Sequence, residues 1–288
     1  MFVIRLRTVF IYLFLFAVLF FTVHFLVTGG QELPVSGDGE KVVELPILMY
    51  HGITEKPSKV SKFVISKDML KKDMEYMKKH GYETVVMDDV IAYVKEGKPL
   101  PEKPIMLTFD DGYYNNYCYA YPLLKEYNMK AVISIIGRFT DLYTDVPDEN
   151  PAYSHMTWNE VQEMMSSGLV EFQNHSYNLH TNDGGRNGCK KKWGESTDSY
   201  AKCLKEDIGL LQQEMQLHTG YTPTTFTYPF GGISDASSEI LREMGFEATL
   251  SCEEKNNYLT EGNTDCLKKL NRFLRSDKVS AEAILGRL

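Results

Sequence analysis

Residues 105–112 read IMLTFDDG, and this stretch decides the fold. An apolar, β-favouring run ends abruptly in two carboxylates and a glycine. Short apolar runs bounded by turn residues are what a strand buried on both faces produces. The acids then stand where the strand leaves the core. Outward from this point, comparable runs occur at 46–50, 83–86, 131–136, 169–172, 225–228, 247–250 and 269–273. Helical patterns fall between them. Residues 67–80 place Leu70, Met74 and Met77 on one face, with Gly81 just past the end. Residues 157–167 start at a capping Thr157, 199–218 carry Leu204, Ile208 and Leu211 on one face, and 234–244 end at Gly245. A strand-then-helix rhythm predicts a mainly parallel α/β fold, and about eight strands predict a closed or nearly closed β/α barrel.

The polar residues stand in telling places. His51 follows the first run, Asp110, Asp111 and Gly112 the third, and Asn174 and His175 the fifth. Pro229, Phe230 and Gly231 follow the sixth, and Cys252, Glu253 and Glu254 the seventh. Each group lies at the carboxyl end of a strand, the face on which β/α barrels build active sites.

Asp110 and Asp111 leave a strand end in different directions, so one can bind a metal while the other takes a proton. In isolation DDG also reads as a polar turn. His175 and His180 lie five residues apart in HSYNLH. Neutral imidazole is the commonest protein metal ligand, and two imidazoles with one carboxylate leave positions open for water and substrate. Taken alone, the same segment reads equally as two loop histidines. Residues 225–232, TFTYPFGG, form a rigid turn that either simply reverses the chain or aims a backbone N–H at a developing oxyanion.

TFDDG (108–112), HSYNLH (175–180) and YPFGG (228–232) resemble the first three motifs of the polysaccharide deacetylases, carbohydrate esterase family 4. The likeness runs over residues 46–273. The six-residue His motif and the opening LMYHGI look most like the branch that contains the extracellular poly-N-acetylglucosamine deacetylases. The resemblance implies a distorted β/α barrel and a divalent metal, usually zinc, held by Asp111, His175 and His180. It implies Asp110 as general base. Tyr228, Pro229, Phe230 and Gly231 would line the substrate, with the backbone N–H of Phe230 helping to hold the oxyanion. Two departures stand out. The family's third motif usually begins with an Arg that orients the base, where this chain has Thr227 and Tyr228. Its last motif usually ends in a His that serves as acid, where this chain has LNRF, 270–273. Arg272 is the expected substitute for the first. His51 is the expected general acid, because the first strand neighbours the eighth in a barrel. The implied activity is N-deacetylation of a glycan. O-acetyl esterase activity, or glycan binding without catalysis, would use the same residues.

The chain has 288 residues, with 31 basic against 39 acidic and a net charge of −8. No long Lys/Arg run appears, which argues against nucleic-acid binding. Residues 9–27, VFIYLFLFAVLFFTVHFLV, are long enough to span a bilayer as a helix. Arg5 and Arg7 precede them and no basic residue follows until Lys41, so the remainder is expected outside the membrane. Residues 1–28 thus read as a cytoplasmic tip and transmembrane anchor, 29–44 as a flexible linker and 45–288 as the catalytic domain. A cleaved signal peptide, giving a secreted enzyme, is the alternative. A polysaccharide and a membrane are the expected partners, and nothing marks a protein partner. Cys189 with Cys203, and Cys252 with Cys266, are close enough in sequence to form disulfides outside the cell, with Cys118 left over.

Overall fold

A computed structural model describes residues 42–288. The expected anchor and the linker before Val42 lie outside the described residues. Among the described residues, no helix is long and apolar enough to cross a membrane.

Eight strands form one parallel sheet: β1 (Ile47–Tyr50), β2 (Glu83–Thr84), β3 (Pro104–Asp111), β4 (Ala131–Ile135), β5 (Val170–Asn174), β6 (Thr225–Thr227), β7 (Ala248–Leu250) and β8 (Phe273–Leu274). Their order is β7-β6-β5-β4-β3-β1-β8, with β2 paired to the start of β3. The sheet curls, and an isolated parallel bridge between Leu250 and Leu270 brings its two ends together. This is the distorted barrel expected from the sequence.

Helices cover the outside: α1 (Lys67–Lys79), α2 (Met87–Glu96), α3 (Tyr121–Tyr127), α4 (Gly137–Asp145), α5 (Trp158–Ser166), α6 (Thr197–Thr219), α7 (Asp235–Glu243) and α8 (Ala281–Leu285). Their starts follow local chemistry. Ser66 and Ser196 accept hydrogen bonds from Met69 N–H and Ser199 N–H at the starts of α1 and α6. At α5, Thr157 and Glu160 make the reciprocal capping pair.

Every residue of β3 is buried, because both faces of the strand are covered. Ile105, Leu107 and Phe109 pack with Leu48, Tyr50, Ile133 and Phe172, while Met106 packs with Ile47, Val132 and Leu250. That two-residue alternation is a strand placing successive side chains in different layers.

Most boundaries shift by one or two residues from the sequence reading, and two differ by more. Val42–Leu45 is a strand, antiparallel to Asn257–Thr260, so regular structure begins before Leu45. The eighth strand is Phe273–Leu274 and not 269–273; Lys269, at a left-handed φ of 58°, lies outside it. All five cysteines are free thiols.

Candidate active site

Asp110 and Asp111 are the last two residues of β3, and His175 directly follows β5, two strands away. Asp111 takes a φ of 74°, a left-handed conformation that costs a non-glycine residue about 1–3 kcal/mol. Ser176 (φ 73°) and Phe230 (φ 56°) share it. Three of the five non-glycine residues with positive φ among the described residues therefore surround one spot, where strain is retained because it aims groups. Gly112 permits the turn, since a side chain at its φ of 72° would meet Ile135 at 2.8 Å.

The strand ends bring Asp111, His175 and His180 together, with one ligand atom from each lying within 4.8 Å of the others. The Asp111 Oδ1 atom is 3.6 Å from His175 Nε2 and 3.3 Å from His180 Nε2. His175 Nδ1 lies 2.8 Å from the Thr227 carbonyl. A carbonyl can only accept, so Nδ1 carries the proton and the Nε2 lone pair faces Asp111. Burial, reinforced by the neighbouring His180, pushes the His175 pKa down to about 3 despite the opposing pull of Asp110. Burial also lowers that of His180. Both rings are therefore neutral near pH 7, and their contacts with Asp111 are not ion pairs. Burial pushes the Asp111 carboxyl up to about 6. Its Oδ1 is buried without any hydrogen-bond partner. An orphaned carboxylate oxygen facing two neutral imidazoles fits a divalent cation, and the donor set suits zinc.

Asp110 is held differently. Arg272, fully buried, donates from Nη1 to Oδ1 at 2.6 Å and from Nη2 to Oδ2 at 2.9 Å. Nε of Arg272 donates to the Ser251 carbonyl at 2.8 Å, and Nη1 also reaches Thr108 Oγ1 at 3.3 Å. Burial would raise the Asp110 carboxyl, but the Arg272 charge and its hydrogen bonds, with help from His175 and His51, hold it well below the usual carboxylate range. The expectation for Arg272 thus meets its partner, although Arg272 precedes β8 rather than ending it. Thr227 takes no part in orienting Asp110: its hydroxyl pairs with Ser134 at 2.7 Å and its carbonyl holds His175.

His51 follows β1, which pairs with β8 as expected. Its ring lies 5.0 Å from that of Phe63, and its Nδ1 is buried with no hydrogen-bond partner. It is close enough for its charge to lower the pKa of both Asp110 and Asp111. Two asparagines missed in the sequence hold this loop: Asn116 donates to the His51 carbonyl and Asn115 accepts from Ile53 N–H. The adjacent pair in DDGYYNN was the available signal.

The turn after β6 divides. Phe230 is 47% exposed, and its ring lies 4.2 Å from that of His180. Gly231 packs against Cys252. Tyr228 is a correction: its side chain is fully buried with Phe226 and Phe246, and its hydroxyl pairs with Ser237, so it faces the core and not a ligand. Pro229 is buried beside it.

The family model described as "Polysaccharide deacetylase" matches residues 97–249. The poly-beta-1,6-N-acetyl-D-glucosamine N-deacetylase of Escherichia coli K12 is 23% identical over 224 residues, which are 72% of this chain and 33% of that protein. The enzyme of the same name from Staphylococcus aureus MSSA476 is 25% identical over 197 residues, 68% of this chain and 63% of that one. This chain thus spans from a third to less than two thirds of the length of these relatives. Among solved structures, a de-N-acetylase from Aggregatibacter actinomycetemcomitans superposes with a TM-score of 0.73 at 26% identity, covering 85% of this chain and 100% of that one.

Proposed function

This chain belongs to the polysaccharide deacetylase family, and on that premise we propose that it hydrolyses N-acetyl groups of an extracellular, N-acetylglucosamine-containing polysaccharide. The observation that carries the reading is the cluster of Asp111, His175 and His180 immediately beside an arginine-held Asp110. The names of the relatives support the polymer and the amide bond.

A divalent metal, zinc by its donor set, would be held by Asp111, His175 and His180, and would polarise the acetyl carbonyl and make a water easier to deprotonate. Asp110 takes the proton of the attacking water. Arg272 keeps that carboxylate ionised and points it, since a bidentate guanidinium fixes both oxygens. The backbone N–H of Phe230 faces the oxyanion that develops as the carbonyl carbon becomes tetrahedral. His51 gives a proton to the departing nitrogen, which otherwise leaves as an unstable amide anion. Phe230, half exposed against His180, offers the sugar an apolar surface.

The apolar residues 9–27 after Arg5 and Arg7 support attachment to a membrane with the catalytic domain outside it. The test of function is acetate release by the full chain from poly-N-acetylglucosamine, peptidoglycan, chitin oligomers and an O-acetylated xylan. The proposal expects release from an N-acetylated polymer, abolished by a chelator and restored by zinc. Release from the xylan alone would replace it with an O-acetyl esterase.

A further inference from the structure

We propose that Asp207, on α6, is a positioning residue for this site: its carboxylate ties down the backbone between His175 and His180 and so sets the distance between the two imidazoles. The inference rests on the metal reading above.

The segment from Ser176 to Leu179 lies outside helix and strand, so its shape must come from side chains. All four of its backbone N–H groups find side-chain oxygens. Tyr177 N–H donates to Asp207 Oδ1 and Asn178 N–H to Asp207 Oδ2, both at 2.9 Å. Ser176 N–H donates to Asn174 Oδ1 at 2.8 Å, and Leu179 N–H to Ser176 Oγ at 3.1 Å. Asp207 is the one charged acceptor among them, and hydrogen bonds to a charged acceptor are roughly twice as strong as neutral ones. On the other side, Gly137 N–H donates to the Ser176 carbonyl and Arg138 N–H to that of Tyr177. A side chain at Gly137 would meet the Tyr177 ring at 2.7 Å, so the approach needs glycine. The loop is therefore gripped between the start of α4 and Asp207.

The grip is referenced to the sheet. Asn174, the last residue of β5, donates to the Ile208 carbonyl and to Gln212 Oε1 on α6. Ile208 and Leu211 of the same helix are fully buried. His175 leaves β5 directly and is held by Thr227, so its place does not depend on Asp207. His180 lies at the far end of the loop. Asp207 accordingly controls one imidazole and spares the other.

The experiment measures zinc affinity of the full chain by competition with a chromogenic chelator, for wild type, Asp207→Ala and Asp207→Asn. Outer partners of metal ligands typically change affinity about 10- to 100-fold. The expected result is a loss in that range for Asp207→Ala and a smaller one for Asp207→Asn, which keeps the shape and one acceptor oxygen. Turnover at saturating zinc should recover in both, because bound metal draws His180 back. Zinc affinity equal to wild type in either folded variant overturns the inference, even if the apo form melts lower. Should Asp207→Ala fail to fold, Asp207→Asn carries the test alone. A wild-type chain that binds no zinc overturns the metal reading itself, and this inference with it.

Discussion

Arg272 and Arg275 stand three residues apart in LNRFLRS, and each is buried against a buried aspartate. Arg272 grips Asp110 through two parallel hydrogen bonds. Arg275 reaches Asp73 of α1 through Nε at 2.6 Å and turns Nη1 to the Ser276 and Val279 carbonyls. The consequences differ. Asp110 is held well below the usual carboxylate range, whereas burial outweighs Arg275 and raises the pKa of Asp73. Asp110 takes two hydrogen bonds from its arginine, where Asp73 takes one. Asp73 is closed in by the Tyr50 hydroxyl and Ala281 N–H, groups that cap a staple between α1 and α8. Asp110 is bordered by the imidazoles of His175 and His51, which further lower its pKa. One chemical pair thus serves as a joint in one place and as a site in another, and the neighbours decide which.

The sharpest way to break this comparison is to remove each acid's charge in turn. Asp110→Asn should lower deacetylation about 100- to 10,000-fold, the usual loss for a general base, while retaining metal. Asp73→Asn should leave kcat near wild type below its melting temperature. Comparable turnover in the two variants would end the distinction. His51 is the next test, as an imidazole neighbour of a kind that Asp73 lacks. With His51→Gln, a glycan amide should be turned over far more slowly, while an activated ester, whose leaving group needs no proton, should be little affected. Equal losses on both would make His51 a structural group.

The arginines come third. Arg272→Met and Arg275→Met each strand a buried carboxylate, which typically costs about 3–5 kcal/mol. Both should melt lower in calorimetry, but only Arg272→Met should lose turnover at a temperature where both are folded. Retained turnover in Arg272→Met would remove Arg272 from the site.

A buried acid bonded to no arginine completes the series. Glu171 accepts from Asp88 N–H and from the Gln173 amide, and burial, aided by Asp88, pushes it up to about 7. Its folded value lies above its unfolded one. The stability from its neutral form is therefore fully present below about pH 4.5 and lost as pH rises through about 7. The loss amounts to roughly 3 kcal/mol at most. Glu171→Gln should gain several degrees of melting temperature relative to wild type between pH 5 and pH 8. A constant difference across that range would show that Glu171 ionises normally.

Most strands were legible because they are short runs buried on both faces, as β1, β3 and β4 are. The pairing of Val42–Leu45 with Asn257–Thr260 was not, since the partners are some two hundred residues apart and the first carries linker-like neighbours. The site was legible where chemistry concentrates in a short motif, as in Asp110, Asp111, His175 and His180. Tyr228 was misjudged because a motif does not say which of its side chains turns inward. Asp207 was invisible, because its task is defined by two backbone N–H groups thirty residues away. Arg272 and Arg275 could not be told apart in LNRFLRS, since their partners lie on β3 and α1.

The central claim is that Asp111, His175 and His180 hold one divalent metal. Metal analysis of purified wild-type chain and of His175→Ala tests it most directly. The account predicts about one zinc per wild-type chain and almost none in the variant, with both folded. Equal metal content in the two would contradict it.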